Sequence, residues 1–333
     1  MTVAMVAKKS GSKKSGRKLL ISIVMPAYNR AHCIMDSIAS VLRQDIHQTA
    51  LDWELIVSDD ASTDGTSALF IDPKTKRQLP PSQLDSRIVY SRATKNGGVN
   101  VARNLGIKRA RGDYILFLDS DDFLTPDAFQ ILSRHLSSAH KILLFSTQEV
   151  GTKRSMTHVA REGTYTYAQW LAAREIGGEF LSVVHRSVFA RDMFDEDRFC
   201  FESFFWNRIV KKYDVFASPH VLREYSFASD NRVSKKLSDP AYAARRYADY
   251  LKYLAAFEKD YASFGLDAQL AGLYLRTGVF AGLSGNMVGS RRLLKKSLSY
   301  SVSFGALSAL KLAYLGRSAF GLGFRIVRLF IRE

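Results

Sequence analysis

Cysteine is nearly missing from the sequence. The 333 residues include only Cys33 and Cys200. Two thiols cannot build a disulfide framework or a cysteine-rich zinc site, and they suit a reducing compartment. No uninterrupted apolar run reaches 18 residues, so a bilayer-spanning helix is not expected. The amino end also lacks an apolar run long enough for a secretory signal. The histidines are scattered without metal-ligand spacing, and no internal repeat is found. There is no glycine-rich loop ending in Gly-Lys-Ser/Thr and no GxGxxG, so neither common phosphate-binding fingerprint applies. What is present is ordinary in bulk: 47% apolar and 24% charged residues. That composition excludes a wholly disordered chain, a collagen-like chain or a coiled-coil fibre. The length suggests two domains, or one large domain with an appendage.

Acidic residues are outnumbered, 32 against 48 Lys plus Arg, for a net charge of +16. The excess is at the ends. Residues 1–18 hold six cations and no acid; residues 291–333 hold nine cations and one acid, Glu333. Residues 1–18 read as a flexible basic arm, and the body between the ends is nearly neutral. Basic ends on a neutral body point to an anionic surface as partner. If 311–332 were one helix, Lys311, Arg317, Arg325, Arg328 and Arg332 would share an arc of about 120°. Apolar residues fill much of the rest, as in a helix lying on an anionic bilayer. Gly316, Gly321 and Gly323 weaken that helix. A terminal helix packed on the domain with snorkelling cations is the other reading.

From Leu19 the pattern alternates. Strands are expected at Leu19–Met25, Trp53–Val57, Arg87–Tyr90, Asp113–Leu118 and Lys141–Thr147. Helices are expected at Ala31–Gln44, Asn100–Lys108 and Pro126–Leu136, with a capped start near Ser62 or Thr63. This is the pattern of a doubly wound sheet that binds ligands at the carboxyl ends of its strands. After about residue 235 the chain reads as helical, over Tyr242–Lys259, Ala268–Leu283 and Ser290–Leu298.

Polar residues concentrate at the strand ends. Asp119, Asp121 and Asp122 place three carboxylates within four positions, and such crowding calls for a cation. Oxygen donors suit magnesium or manganese; a polar turn capping the next helix is the plainer alternative. Asp59, Asp60 and Asp64 follow the second strand, where an acid can hydrogen-bond a ribose or a base edge, or simply cap a helix. Asn96-Gly97-Gly98 opens a helix carrying Arg103, and backbone amides with a guanidinium suit phosphate.

Four segments then stand in order: Ile21-Ser-Ile-Val-Met-Pro-Ala-Tyr-Asn29, Val57-Ser-Asp-Asp-Ala-Ser-Thr-Asp-Gly-Thr66, Asn96-Gly-Gly with Ala102-Arg-Asn-Leu-Gly106, and Tyr114-Ile-Leu-Phe-Leu-Asp-Ser-Asp-Asp122. Together they resemble family-2 glycosyltransferases, inverting enzymes of the GT-A fold, over residues 19–215 and most sharply over 19–130. The resemblance implies a Rossmann-like mixed sheet as a catalytic domain over 19–235, with a nucleotide-binding half at 19–130 and an acceptor half at 131–235. A helical, basic region would follow at 236–333. It implies that Pro26, Ala27, Tyr28 and Asp60 hold the base, that Arg103 lies near the diphosphate, that Asp119 sits near the ribose and that Asp121 binds Mn2+ or Mg2+. The metal would neutralise the nucleoside diphosphate leaving group.

Inverting transfer needs a general base for the acceptor hydroxyl. The family places it in a pattern like Glu-Asp-x-x-x-Trp-x-Arg. Here Phe201-Glu-Ser-Phe-Phe-Trp-Asn-Arg208 departs from it. Aligning Trp206 and Arg208 makes Glu202 the base, with a single carboxylate where the family often has two. Aligning without the Trp puts Ser203 there instead. Asp195, Glu196 and Asp197 read as a surface turn and are the fallback. Arg186 resembles a basic position of the acceptor half, and His185 reads as an ordinary histidine. The aromatic group at 199–206 reads as helix core or as a face for a sugar ring.

The leading expectation is transfer of a sugar, UDP being the commonest donor nucleotide by resemblance, to a glycan or lipid-linked acceptor in surface polysaccharide assembly. The place would be the cytoplasm, peripheral on the cytoplasmic face of the inner membrane. A nucleotidyltransferase lacks its basic glycine-rich loop after strand one. A degenerate transferase or a basic membrane- or nucleic-acid-binding protein is the remaining alternative, and the near-neutral body argues against nucleic acid.

Overall fold

The computed structural model describes residues 17–320, apart from 48, 81, 137–138, 198–200, 227–238 and 317, together with Gly323. The residue 1–16 part of the basic arm lies outside the described residues. At its edge, Arg17 pairs with Asp113 at 2.6 Å.

The first half alternates as its apolar pattern dictates: β1 (Leu19–Ala27), α1 (Ile34–Leu42), β2 (Leu51–Asp59), β3 (Ile88–Arg92), α2 (Val99–Arg109), β4 (Tyr114–Phe117), β5 (Phe123–Leu124) and α3 (Ala128–His135). Strands β1, β2, β3 and β4 pair in parallel, with Ala27 opposite Asp59 and Val24 opposite Phe117. Their carboxyl ends therefore open on one edge. The second half contributes β6 (Ile142–Glu149), β7 (Thr157–Val159), β8 (Gly163–Tyr165), α4 (Tyr167–Ala172), β9 (Ile176–Gly178), β10 (Leu181–His185), α5 (Glu202–Val210) and β11 (Val215–Tyr225). The main sheet runs β3-β2-β1-β4-β10-β6-β11-β5, with β8 on β11, and β7 pairs with β9 separately. It is mixed, not uniformly parallel: β10 runs antiparallel to both β4 and β6. That reversal sends the chain back across the sheet and brings α5 to the edge where β1, β2 and β4 end.

Both faces of the sheet are covered. On one, Ile21, Ile23 and Met25 pack with Ile34 and Ile38 of α1 and Phe129 and Leu132 of α3. On the other, Val24, Ile56, Ile115 and Phe117 pack with Ile107 of α2 and Phe205 and Ile209 of α5. Residues alternating along β1 thus serve opposite cores, as strand geometry requires.

Two expectations are corrected here. The residues after β2 form a short 3-10 turn, Gly65–Leu69, and Asp64 is its cap, accepting from the Thr66 amide at 2.9 Å. The cap is therefore Asp64, not Ser62 or Thr63. The single helix over 311–332 does not form. Helix α9 ends at Leu315, and Gly316 follows in a left-handed conformation with φ 99°. Lys311 lies within α9, while Arg317, Arg325, Arg328 and Arg332 lie outside the described residues.

Helices α6 (Pro240–Ser263), α7 (Asp267–Leu283), α8 (Met287–Tyr300) and α9 (Phe304–Leu315) follow the sheet domain. Their joint with the sheet domain is aromatic and polar. The Phe201 ring lies 4.6 Å from Tyr250, and Phe204 meets Tyr253 and Phe257 at 5.6 and 5.5 Å. Asn207 of α5 donates to the Tyr253 hydroxyl at 2.5 Å and accepts from the Trp170 indole at 2.8 Å. Lys211 pairs with Asp260 at 2.8 Å.

Helix α2 lies so close to β1 and β2 that only glycine fits at 106. A Cβ there would stand 2.5 Å from both Ser58 Oγ and Val24 Cγ1. Gly106→Ala should destabilise the chain by about 1–3 kcal/mol in urea unfolding, through overpacking. Helix propensity alone would instead give a gain of about 1 kcal/mol, so the sign of the change tests the packing.

Candidate active site

The carboxyl edge of the sheet gathers the predicted residues. Pro26 and Ala27 close β1, and the Asp60 amide donates to the Ala27 carbonyl at 2.8 Å. Tyr28 follows with its side chain exposed. Asn29, with φ 54°, accepts through Oδ1 from the Thr63 amide at 2.8 Å, which ties the strand-one loop to the strand-two loop.

Asp60 is buried, and its two oxygens accept from the Gly97 and Gly98 amides at 2.8 and 2.7 Å. Gly98 has φ 97°, a conformation that excludes an ordinary side chain. The expected phosphate-binding role of these amides is corrected on this point: they already serve Asp60. Asp59 is also internal, accepting from the Tyr90 hydroxyl and from the Ser62 amide at 2.9 Å.

Arg103 projects from α2 with its side chain 9% exposed. Its Nη2 lies 3.3 Å from Asp119 Oδ1 and its Nη1 lies 2.5 Å from Glu202 Oε1. Burial works against the guanidinium charge, but Glu202 and Asp119 outweigh it and raise its affinity for the proton above the ordinary value. Asp119 comes from the loop after β4 and Glu202 from the first turn of α5, so one cation joins the two halves of the domain.

Neighbouring asparagines fix the geometry. Asn104 donates to the Phe194 carbonyl at 2.9 Å and accepts from its amide at 3.1 Å, and Asn100 donates to the Asp195 carbonyl at 3.0 Å. The fallback acids are engaged elsewhere: Asp195 with Arg208 at 2.9 Å, Glu196 with Asn104 at 3.1 Å, and Asp197 with Lys252 at 3.0 Å.

Asp119, Arg103 and Glu202 line a cleft of about 520 Å³. Ser203 lines it too, with the rings of Trp170, Phe180, Phe194, Trp206 and Tyr225. Among the described residues of the 199–206 aromatic group, Trp206 lines the cleft. Tyr28, Asp60 and Asp121 do not line it; they lie on the β1–β2 side of Asp119. Arg186 does not line it either. Its amide donates to the Asp113 carbonyl at 2.9 Å, at the amino end of β4, which places it away from the carboxyl edge.

Sequence reasoning missed Arg223 and Glu179. Arg223 is buried, 3.4 Å from Asp122 and 3.6 Å from Glu179. Nothing in the sequence marks either: Leu222 and Arg223 are consecutive and both buried, and β11 shifts register just before them, so no alternation points to Arg223. Glu179 projects into the cleft, where desolvation raises its carboxyl against the pull of Arg223.

Asp121 lies 3.6 Å from Arg30, and both side chains are 20% exposed. Asp122 is buried, and its Oδ2 faces Arg223 Nη1 at 3.4 Å. Burial pushes its carboxyl up to about 8 against the pull of Arg223, with Asp119 and Asp121 adding to the rise. Each carboxylate of this loop faces an arginine; those of Asp119 and Asp121, 36% and 20% exposed, are oxygen donors of the kind a hard divalent ion takes.

Comparison with known proteins gives the family. The family model described as "Glycosyl transferase family 2" matches residues 22–196. A GalNAc(5)-diNAcBac-PP-undecaprenol beta-1,3-glucosyltransferase of Campylobacter jejuni is 26% identical over 309 residues, covering 89% of this chain and 93% of that one. The poly(ribitol-phosphate) beta-N-acetylglucosaminyltransferase TarS of Staphylococcus aureus is 32% identical over 139 residues, 40% of this chain and 22% of that one. Among solved structures, residues 1–349 of TarS in complex with UDP-GlcNAc superpose with a TM-score of 0.56 at 17% identity, covering 93% of this chain and 90% of that one. The mannosyltransferase PcManGT of Pyrobaculum calidifontis, in complex with GDP-Man and Mn2+, gives 0.50 at 16% identity, covering 95% and 84%. With the family model spanning more than half of its residues and the GT-A architecture shared with these structures, the chain belongs to glycosyl transferase family 2 and is a glycosyltransferase.

Proposed function

We propose that the chain transfers a sugar, with inversion, from a UDP-linked donor to a lipid-linked glycan acceptor in surface polysaccharide assembly. The observation that carries this reading is Arg103 bridging Asp119 and Glu202 on the wall of the cleft. The named activity of the full-length Campylobacter relative, on an undecaprenol-linked glycan, supports the acceptor class. The UDP-GlcNAc complex of TarS supports the nucleotide.

In this reading the end of β1 (Pro26, Ala27), the following Tyr28 and Asp60 hold the base, and Asp119 the ribose. Arg103 meets the anionic diphosphate, and the aromatic walls of the cleft receive the acceptor. Glu202 takes the proton of the acceptor hydroxyl as that oxygen attacks the anomeric carbon. The bond from that carbon to the diphosphate oxygen breaks on the opposite face, which inverts the centre. Asp121, with Asp119 beside it, would hold Mn2+ or Mg2+, which when bound neutralises charge on the departing diphosphate.

An anionic bilayer as partner draws support from the carboxyl-terminal helices. Among the described residues no helix is long and apolar enough to cross a membrane. Yet Val302, Phe304 and Leu315 are 75%, 67% and 73% exposed. Beside Leu315, Arg291 and Lys295 approach the Tyr314 ring at 5.0 and 5.7 Å. Apolar side chains beside cations are what an interfacial surface needs.

Three measurements test this. With the donor identified from a panel of nucleotide sugars, Glu202→Gln should lower kcat by about 10²–10⁴-fold, the range of a lost general base, while donor affinity stays within a few-fold. Retained turnover would move the base elsewhere. Asp121→Ala should abolish divalent-ion-dependent donor turnover; turnover insensitive to chelators in the wild type would remove the metal from the scheme. The full chain should float with phosphatidylglycerol vesicles and detach at high salt, and the double variant Phe304→Ser/Leu315→Ser should float less. Flotation unaffected by this variant would exclude α9 from the contact.

A further inference from the structure

We propose that His135, Glu162 and His220 form a zinc site, separate from the acidic loop of the active site, that clips α3 to the β8–β11 edge of the sheet. His135 lies in the last turn of α3, Glu162 in the turn before β8, and His220 where the pairing of β11 with β6 shifts register between Ser218 and Val221. Their spacing in sequence gives no metal signature; the antiparallel pairing of β8 with β11 creates it, by setting Gly163 opposite Ala217. None of the three lines the 520 Å³ cleft.

One ligand atom from each residue can be chosen so that all three lie within 4.8 Å of one another. Glu162 Oε2 is 3.4 Å from His135 Nε2 and 3.9 Å from His220 Nε2. Two ligands about 2.0–2.2 Å from a tetrahedral zinc ion stand roughly 3.3–3.6 Å apart, so His220, 55% exposed, need move only slightly. Two imidazoles and a carboxylate are a borderline donor set that suits zinc, with water completing the shell.

The surroundings orient the donors. His135 Nδ1 lies 2.8 Å from the Ile131 carbonyl oxygen, which can only accept, so Nδ1 carries the hydrogen. In the neutral ring the Nε2 lone pair therefore faces the Glu162 carboxylate. Two electron-rich groups at that distance repel unless a proton or a metal ion lies between them. Ser218 donates to Glu162 Oε2 at 2.6 Å. The Tyr165 hydroxyl donates to the Arg161 carbonyl at 2.6 Å and fixes the turn that carries Glu162. The rings of Phe145 and Phe216 flank His135 at 5.5 Å. Such outer partners are what hold metal ligands in place.

The test uses the tag-free full chain, stripped with chelator and titrated with Zn2+, beside Asp121→Ala, His220→Ala and Glu162→Gln. The expected result is one tightly bound zinc per chain in the wild type and in Asp121→Ala, with affinity roughly tenfold or more weaker in the other two. Saturating zinc should raise the Tm of the wild type and not that of His220→Ala. Cobalt in place of zinc should give the strong visible bands of a four-coordinate ion, lost in His220→Ala. His220 is exposed enough that its loss leaves folding intact, and circular dichroism checks this. A folded wild type that binds no zinc would overturn the site and leave a protonated histidine–carboxylate cluster. Zinc binding and a cobalt spectrum unchanged by both variants would equally overturn it.

Discussion

A buried guanidinium between two carboxylates organises this molecule. Arg103 could not remain charged inside the protein alone, since burying an unpaired charge is costly. Asp119 and Glu202 meet that requirement from opposite directions, one at the end of a central parallel strand and one at the start of a helix from the second half of the domain. The contact also draws together what precedes it. Helix α2 must approach the sheet closely to deliver Arg103, hence Gly106, and must hold the 194–195 segment, hence Asn100 and Asn104. The Ala-Arg-Asn-Leu-Gly run is therefore one packing solution, with its arginine at the cleft and its neighbours fixing where that arginine points.

Much of the first half was readable from the sequence, because local rules govern it. Short apolar runs ending in polar turns became β1, β2 and β4, and the helical spacing of Ile34, Ile38 and Val41 became the buried face of α1. Carboxylates at strand ends arrived on one edge because parallel pairing aligns those ends. The second half was less readable. The reversed strand β10 carries an apolar run that looks the same in either direction, so the mixed sheet was not visible in its residues and came only with the family resemblance. Arg186 shows the consequence: strand direction alone decides which edge of the sheet it occupies.

Within the site, the readable part was the set of charged types and the unreadable part was their partners. Asp60 and Asp121 are both acids near a strand end, yet one closes on the backbone of Gly97 and Gly98 while the other meets Arg30 across a partly exposed gap. Glu179 and Arg223 lie far apart in sequence and enter the cleft only through tertiary packing. The same holds for His135, Glu162 and His220, which have no spacing to notice. The helical region was readable as helices, but not its docking on α5 through Tyr250, Tyr253 and Phe257. Aromatic residues at helical spacing specify burial without naming what covers them.

The Asp60 clamp on the turn before α2 also bears on how recognition is financed thermodynamically. A glycine turn is the most mobile kind of backbone, and ordering it costs conformational entropy. Here folding has already ordered it, by an acid from the neighbouring strand and with no ligand needed. The helix that carries Arg103 therefore starts from a fixed point whether or not the cleft is filled. Contacts made by an incoming anion need not first immobilise this turn, so their free energy goes into affinity and orientation instead.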